Sequence, residues 1–175
     1  MSTLNERHTL AEQVAQAMGK SVYNNVEAHK DITPRLELQQ KSPKLMTLEE
    51  AIRHSGLKDG MTISFHHHFR GGDKVVNMVV AKLAEMGFKG LHLAASSLQD
   101  VHEPLIEHIR NGVITEISTS GLRGELAKEI SHGLMEKPVV FRSHGGRGEA
   151  IASGELHIDV AFLGASSSDP LGNAC

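Results

Sequence analysis

The sequence predicts an α/β fold: a three-layer α/β/α arrangement around a mostly parallel sheet. Two observations carry this. After residue 60, short runs rich in β-branched and apolar residues alternate with stretches whose apolar positions recur every three or four residues. The joints between them are built from Gly, Ser, Asp and Pro. Strands alternating with helices at this spacing imply βαβ units, and such units give parallel strands covered on both faces.

The elements follow in order. "TLEEAIRHSGL" is a helix with Thr47 as its cap, Glu50 three residues on and Gly56 near its end. "MTISFHH" reads as a strand, and "DKVVNMVVAKLAEMG" as a helix with Val76, Val79, Val80 and Leu83 on one stripe. "GLHLAASS" is the second strand. "EPLIEHIRNG" is a helix with Pro104 in its first turn and Asn111-Gly112 closing it. "VITEISTS" is the third strand, and "GELAKEISHG" a helix whose row runs through Leu126, Ile130 and Leu134. "PVVFRSH" is the fourth strand, "GRGEAIASG" a short helix, and "IDVAFLGAS" a fifth strand, apolar enough to be buried on both sides. Residues 1–44 are polar and weakly periodic and read as an N-terminal arm. Residues 45–175 form the α/β domain.

Composition narrows the class. A net charge of −3 gives no reason to expect a nucleic-acid or anionic-membrane partner. No apolar run approaches the roughly 20 residues of a membrane span, and "MSTLNERHTL" lacks the apolar core of a signal peptide. The single cysteine, Cys175, cannot form an internal disulfide and suits a reducing compartment. The expected location is the cytoplasm.

In open parallel sheets, ligands bind outside the carboxyl ends of the strands. The five exits read "HHHFRGGD", "ASSLQD", "STSGLRG", "RSHGGRG" and "GASSSDPLGN". Each carries small, hydroxyl or glycine residues, and three add an arginine: Arg70, Arg123 and Arg147. Strand-to-helix turns favour Gly, Ser and Asp for capping alone. Together with the arginines, however, main-chain amides at helix starts make a rim suited to a carboxylate or phosphate. "SHGGRGEA" is the most specialised exit: its glycines permit a sharp turn and a close approach, and Arg147 can fork a carboxylate. It is no dinucleotide fingerprint, because Ile151 stands where the third glycine belongs, and no GxxxxGK loop exists.

On a strand, His66 and His68 share one face and His67 takes the other. A zinc site would need a further protein ligand, and neither HExxH nor Cys-His spacing is present, so no metal is expected. His67 reads equally well as a packed core histidine, and His66 and His68 as hydrogen-bond partners of a bound anion. Ser96, Ser97, Ser120 and Asp169 offer parts of a triad, but there is no GxSxG elbow.

The phrases "DGMTISFHHHFRGGD", "SSLQDVHEPLIEHI", "TSGLRGELAKEIS", "SHGGR" and "GELHIDVAFLGASSSDPLGNA" resemble the citrate lyase alpha subunit, the citrate CoA-transferase component, from about Leu45 onward. The resemblance implies a CoA-transferase-like domain. It implies exchange of acetyl for citryl on a thioester of an acyl-carrier protein: citrate plus acetyl-carrier gives acetate plus citryl-carrier, through a mixed anhydride. The gamma subunit would be that carrier, with a CoA-like prosthetic arm, and the beta subunit would cleave the citryl product within an oligomeric lyase complex. On motif position, Arg70 and Arg147 are the expected anion ligands, and Gly71, Gly72, Gly145 and Gly146 allow close backbone approach. Ser96, Ser97, Ser120 and His144 would make polar contacts, with Gly121 beside them; no catalytic nucleophile is implied.

Alpha subunits of this family are longer, with a second domain of the same type. The chain therefore resembles the first domain alone, and little transferase activity is expected from it in isolation. The alternative is a non-catalytic ligand-sensing or assembly domain of the same fold. A sensor would normally adjoin a helix-turn-helix, and residues 1–44 show no such pattern. A phosphosugar isomerase would need a general base, for which Glu149 and Asp169 are candidates by position alone.

Overall fold

The computed structural model describes residues 44–66, 73–165 and 167–173. The first helix, α1 (Leu48–Ser55), starts at a capping box: the Glu50 amide donates to Thr47 Oγ1, and the Thr47 amide donates to Glu50 Oε2 at 2.8 Å. Gly56, left-handed at φ 74°, closes it. Then come β1 (Thr62–His66), α2 (Val75–Glu85), β2 (Leu91–Ala95), a 3-10 turn at Asp100–His102, and α3 (Leu105–Arg110). The chain continues through β3 (Ile114–Thr119), α4 (Gly124–Ser131), β4 (Val140–Phe141), α5 (His144–Ser153) and β5 (Val160–Leu163).

All described pairings are parallel, in the order β4-β3-β2-β1-β5. The first three crossovers step in one direction across the sheet, and the last, carrying α5, returns to the far side of β1. Because crossovers are right-handed, that reversal puts α5 on the face opposite α2, α3 and α4. The packing agrees. One core joins Ile63, Phe65, Leu91, Leu93 and Ile117 to Val76, Val79, Val80 and Leu83 of α2, Leu105 and Ile109 of α3, and Leu126 of α4. A separate small cluster on the other face holds Ala94, Ala150 of α5 and Leu156.

The two faces therefore differ in chemistry. Alternation places Ile63 and Phe65 under the large core, and Thr62 and Ser64 under the α5 side. In register with them, β2 and β3 contribute His92 beside Glu116 and Ala94 beside Ser118. The face that α5 crosses is consequently polar. The exits of β2 and β3 also run alongside each other: Leu98 bridges Leu122, the Leu98 amide donates to the Gly121 carbonyl at 2.8 Å, and the Arg123 amide to Leu98 at 3.1 Å.

Two strands depart from the expectation. "PVVFRSH" yields only a two-residue strand, with Val140 and Phe141 exposed. Among the described residues it is the outermost strand and pairs with β3 alone, over Ser118 and Thr119. β5 is not buried on both sides: its residues alternate between half-buried and exposed, and Leu163 is 68% exposed. Among the described residues it pairs only with β1, and its sole large stacking contact is Phe162 on Phe65, with centroids 5.4 Å apart.

Candidate functional site

The site is best built from Arg147. Its helix begins at Ser143, whose extended backbone and side-chain oxygen cap the first turn by accepting from the Gly146 amide at 3.0 Å. The Arg147 amide donates to the Ser143 carbonyl at 2.8 Å. "SHGGR" is therefore the opening turn of a helix rather than the sharp turn its glycines suggested, and His144, Gly145 and Gly146 are its first three residues. A Cβ at Gly145 would meet nothing within 4 Å, so neither backbone angle nor crowding in this chain demands glycine there.

From that turn the Arg147 side chain reaches down across the polar face. Its Nη2 donates to Ser64 Oγ on β1 at 2.8 Å and to the Ala94 carbonyl on β2 at 3.2 Å. Ser64, Ala94 and Ser118 are register neighbours, so the guanidinium lies along a row that crosses three strands. No carboxylate partners it among the described residues; its Nη1 is buried and makes no hydrogen bond. Burial pushes the guanidinium below its ordinary value, though an arginine stays charged at any physiological pH. A buried cationic donor without an acceptor is costly and calls for an explanation.

Around it lies a narrow void lined by Ser118, Thr119, Arg142, Arg147 and Leu156, too tight to admit a water. Arg142 is the residue the sequence reading passed over. It follows β4, its amide donates to the Thr119 carbonyl at 3.0 Å, and its guanidinium pairs with Glu155 at 2.6 Å. Behind this row sits His92: its Nε2 is 2.9 Å from Ser118 Oγ, and its Nδ1 3.5 Å from Thr62 Oγ1. Burial lowers the His92 pKa, with Glu116 opposing and Arg142, Lys137 and Arg147 reinforcing. Glu116 is held below its usual range chiefly by its hydrogen bond from Lys137 Nζ, 2.5 Å away.

The other sequence-derived candidates divide as follows. Ser96 and Ser120 follow β2 and β3 directly: the Ser96 amide donates to the Phe65 carbonyl at 3.1 Å, and the Ser120 amide to the Ser96 carbonyl at 3.3 Å. The side-chain oxygen of Ser120 is buried and unpartnered. Ser97 and Gly121 adjoin, since a Cβ on Gly121 would stand 3.4 Å from Ser97 Oγ. These four thus meet at the neighbouring exits of β2 and β3. His144, Gly145 and Arg147 belong to the α5 turn that follows β4, with His144 and Gly145 exposed. Arg123 is exposed at the start of α4. Arg70, Gly71 and Gly72, with His67 and His68 of the triplet, lie outside the described residues. Asp169 is engaged locally, accepting from the Leu171 and Asn173 amides and from Asn173 Nδ2, and holds no histidine among the described residues. Among the described residues no three His, Cys, Asp or Glu side chains gather as a metal site, and no helix is long and apolar enough to cross a membrane.

Comparison with known proteins gives a consistent answer. The family described as citrate lyase, alpha subunit (CitF), matches residues 42–175. The citrate lyase alpha chain of Klebsiella pneumoniae is 63% identical, the match covering 82% of this chain and 30% of that one. That of Escherichia coli (strain K12) is 67% identical over 73% of this chain and 25% of the relative. The chain thus spans less than a third of the length of these curated relatives. Among solved structures, a citrate lyase alpha subunit from Streptococcus mutans, in complex with citrate, superimposes with a TM-score of 0.75 at 58% identity. That match covers 78% of this chain and 27% of the other. With its parallel sheet and the family pattern running from residue 42 to residue 175, this chain belongs to the citrate lyase alpha subunit family.

Proposed function

We propose that the chain is the citrate-binding part of a citrate CoA-transferase, which exchanges acetyl for citryl on the thioester of an acyl-carrier protein. The match to the alpha-subunit family over residues 42–175 carries this reading. A half-buried guanidinium with a buried, unpartnered Nη1, laid over hydroxyl and main-chain groups near the carboxyl ends of three strands, supports assigning an anion site there.

The chemistry asks for such a site. A citrate carboxylate oxygen attacks the thioester carbonyl carbon and the thiolate leaves, giving a mixed anhydride. The thiolate then attacks the citryl carbonyl and acetate departs, so atoms and charge balance. A hydrated carboxylate is a poor nucleophile, and holding citrate's remaining carboxylates on fixed cations aligns the reacting one and sheds its water. Arg147 is the assigned carboxylate ligand, with Arg70 a second from the β1 exit. Ser96, Ser97, Ser120 and His144 are assigned polar contacts, and Gly71, Gly72, Gly121, Gly145 and Gly146 the close backbone approach. Main-chain amides facing the developing oxyanion would supply ~3 kcal/mol each. The gamma and beta subunits of citrate lyase are the proposed partners, with the carrier's CoA-like arm as the thioester-bearing substrate. The cytoplasm is the proposed location.

The test mixes this chain with acetylated carrier protein and citrate, with and without the rest of an alpha subunit, and measures acetate. Release only when the rest is present is expected. No release in either mixture overturns the reading, and binding of the carrier without turnover favours an assembly role instead.

A further inference from the structure

The polar row behind Arg147 has no place in the reaction just described. A half-buried histidine between two hydroxyls, in the middle of a parallel sheet, is an expensive choice where Val or Ile would serve. His92 stands in register with Thr62 on one side and Glu116 on the other. Its Nε2 meets Ser118 Oγ at 2.9 Å, and Ser118 lines the same void as Arg142 and Arg147. Ser118 is 3% exposed and next in register to Ala94, whose carbonyl already accepts from Arg147 Nη2. Ser118 and Arg147, whose Nη1 is unpartnered, therefore line one narrow void, and the histidine ring holds the Ser118 hydroxyl.

We propose that His92 is a positioning residue for the anion site: by holding Ser118 Oγ beside Arg147, it lets one ligand carboxylate engage the hydroxyl and the guanidinium together. This rests on the assignment of Arg147 as a citrate ligand. When His92 is neutral and its Nε2–H donates to Ser118, the serine hydroxyl hydrogen stays available to an acceptor entering the space that Arg142 and Arg147 also line. Such a space lacks only an acceptor, and a carboxylate supplies one. Burial, with the nearby charges of Arg142, Lys137 and Arg147 and against the pull of Glu116, favours the neutral ring. Admitting the carboxylate requires a small outward movement of α5, because the void as it stands is too narrow for water.

The experiment is isothermal titration of citrate into this chain and its variants, with thermal melts as a control for folding. His92→Leu is expected to weaken citrate binding about tenfold, the scale of one hydrogen bond to a charged group. His92→Gln, whose amide can still donate to Ser118, is expected to recover most of that loss. Ser118→Ala should match His92→Leu, and the double variant should be no worse than either single one, which marks the two residues as one unit. Should His92→Leu fail to fold, Ser118→Ala and His92→Gln still decide the matter. Binding that collapses in Arg147→Lys but ignores both His92 and Ser118 overturns this inference alone. If the unsubstituted chain gives no citrate heat, or Arg147→Lys binds unchanged, the site assignment falls and this inference with it.

Discussion

Arg147 Nη2 donates to Ser64 Oγ at 2.8 Å, although the two residues stand 83 positions apart in the chain. The bond ties the first turn of α5 to β1, the strand between β2 and β5. It also orients a guanidinium whose other terminal nitrogen, Nη1, is left without an acceptor.

From this follows a separation of stability and binding. Arg147→Met removes two hydrogen bonds and also relieves a half-buried charge with no carboxylate partner among the described residues. The change in unfolding free energy should therefore stay within about 2 kcal/mol. Introduced into a full-length alpha subunit, Arg147→Ala should lower kcat/KM for citrate by roughly 10- to 1000-fold. Unchanged kinetics would remove Arg147 from the site.

Gly124 begins α4 at φ +69°, and a Cβ there would fall into the carboxylate of Asp100. Both the left-handed backbone and the crowding oppose any side chain. Gly124→Ala should cost ~2–4 kcal/mol in urea unfolding, combining backbone strain with displacement of the 3-10 turn. A loss under 0.5 kcal/mol would show that the two exits can part without penalty.

Leu83 and Leu126 are fully buried in the large core. Either one replaced by Ala should destabilise the domain by ~2–5 kcal/mol, with the urea m-value unchanged if unfolding stays two-state. Among the described residues Ala150 belongs to a cluster of three buried residues, so Ala150→Gly, which deletes one methyl and weakens a helix, should cost less, about 1–2 kcal/mol.

Burial lowers the pKa of both His92 and His108. The unfolded chain thus takes up protons before the folded one as pH falls. Stability should decline as pH drops from the ordinary histidine value of about 6.5 through the lower folded values, and level off below them. Above pH 7 neither group contributes any slope. Denaturant titrations from pH 7.5 to 5 should show this decline, and His92→Gln should make it shallower while the His108 share remains; an equal slope in the variant would assign the effect elsewhere.

Much of the architecture could be read from the chain because its signals are local. The α2 stripe of Val76, Val79, Val80 and Leu83 is buried as spacing predicted, and the Thr47–Glu50 box forms as spelled. "SHGGR" was misread because paired glycines signal a turn, while Ser143 three residues before Gly146 signals a cap, and the cap prevailed. β5 looked like a central strand since its composition is apolar on both faces, but composition does not reveal which neighbours a strand has. The polar face was present as an alternation in Thr62 and Ser64, and in Glu116 and Ser118. What a single sequence withholds is the register that sets these beside His92 and under Arg147. Arg142 went unnoticed for the same reason, being outside the glycine motif that drew attention.

The helix that carries Arg147 has a light grip on the sheet: its one buried residue is Ala150, a single methyl, where α1 and α4 each bury a larger side chain, Ile52 and Leu126. A ligand caught between Arg147 and the strands would act as a rivet, fastening α5 from below. Citrate should therefore slow amide exchange in α5 more than in α2 or α4, since binding selectively suppresses the openings that expose the bound element. Uniform protection across all helices would mean that the ligand is held elsewhere.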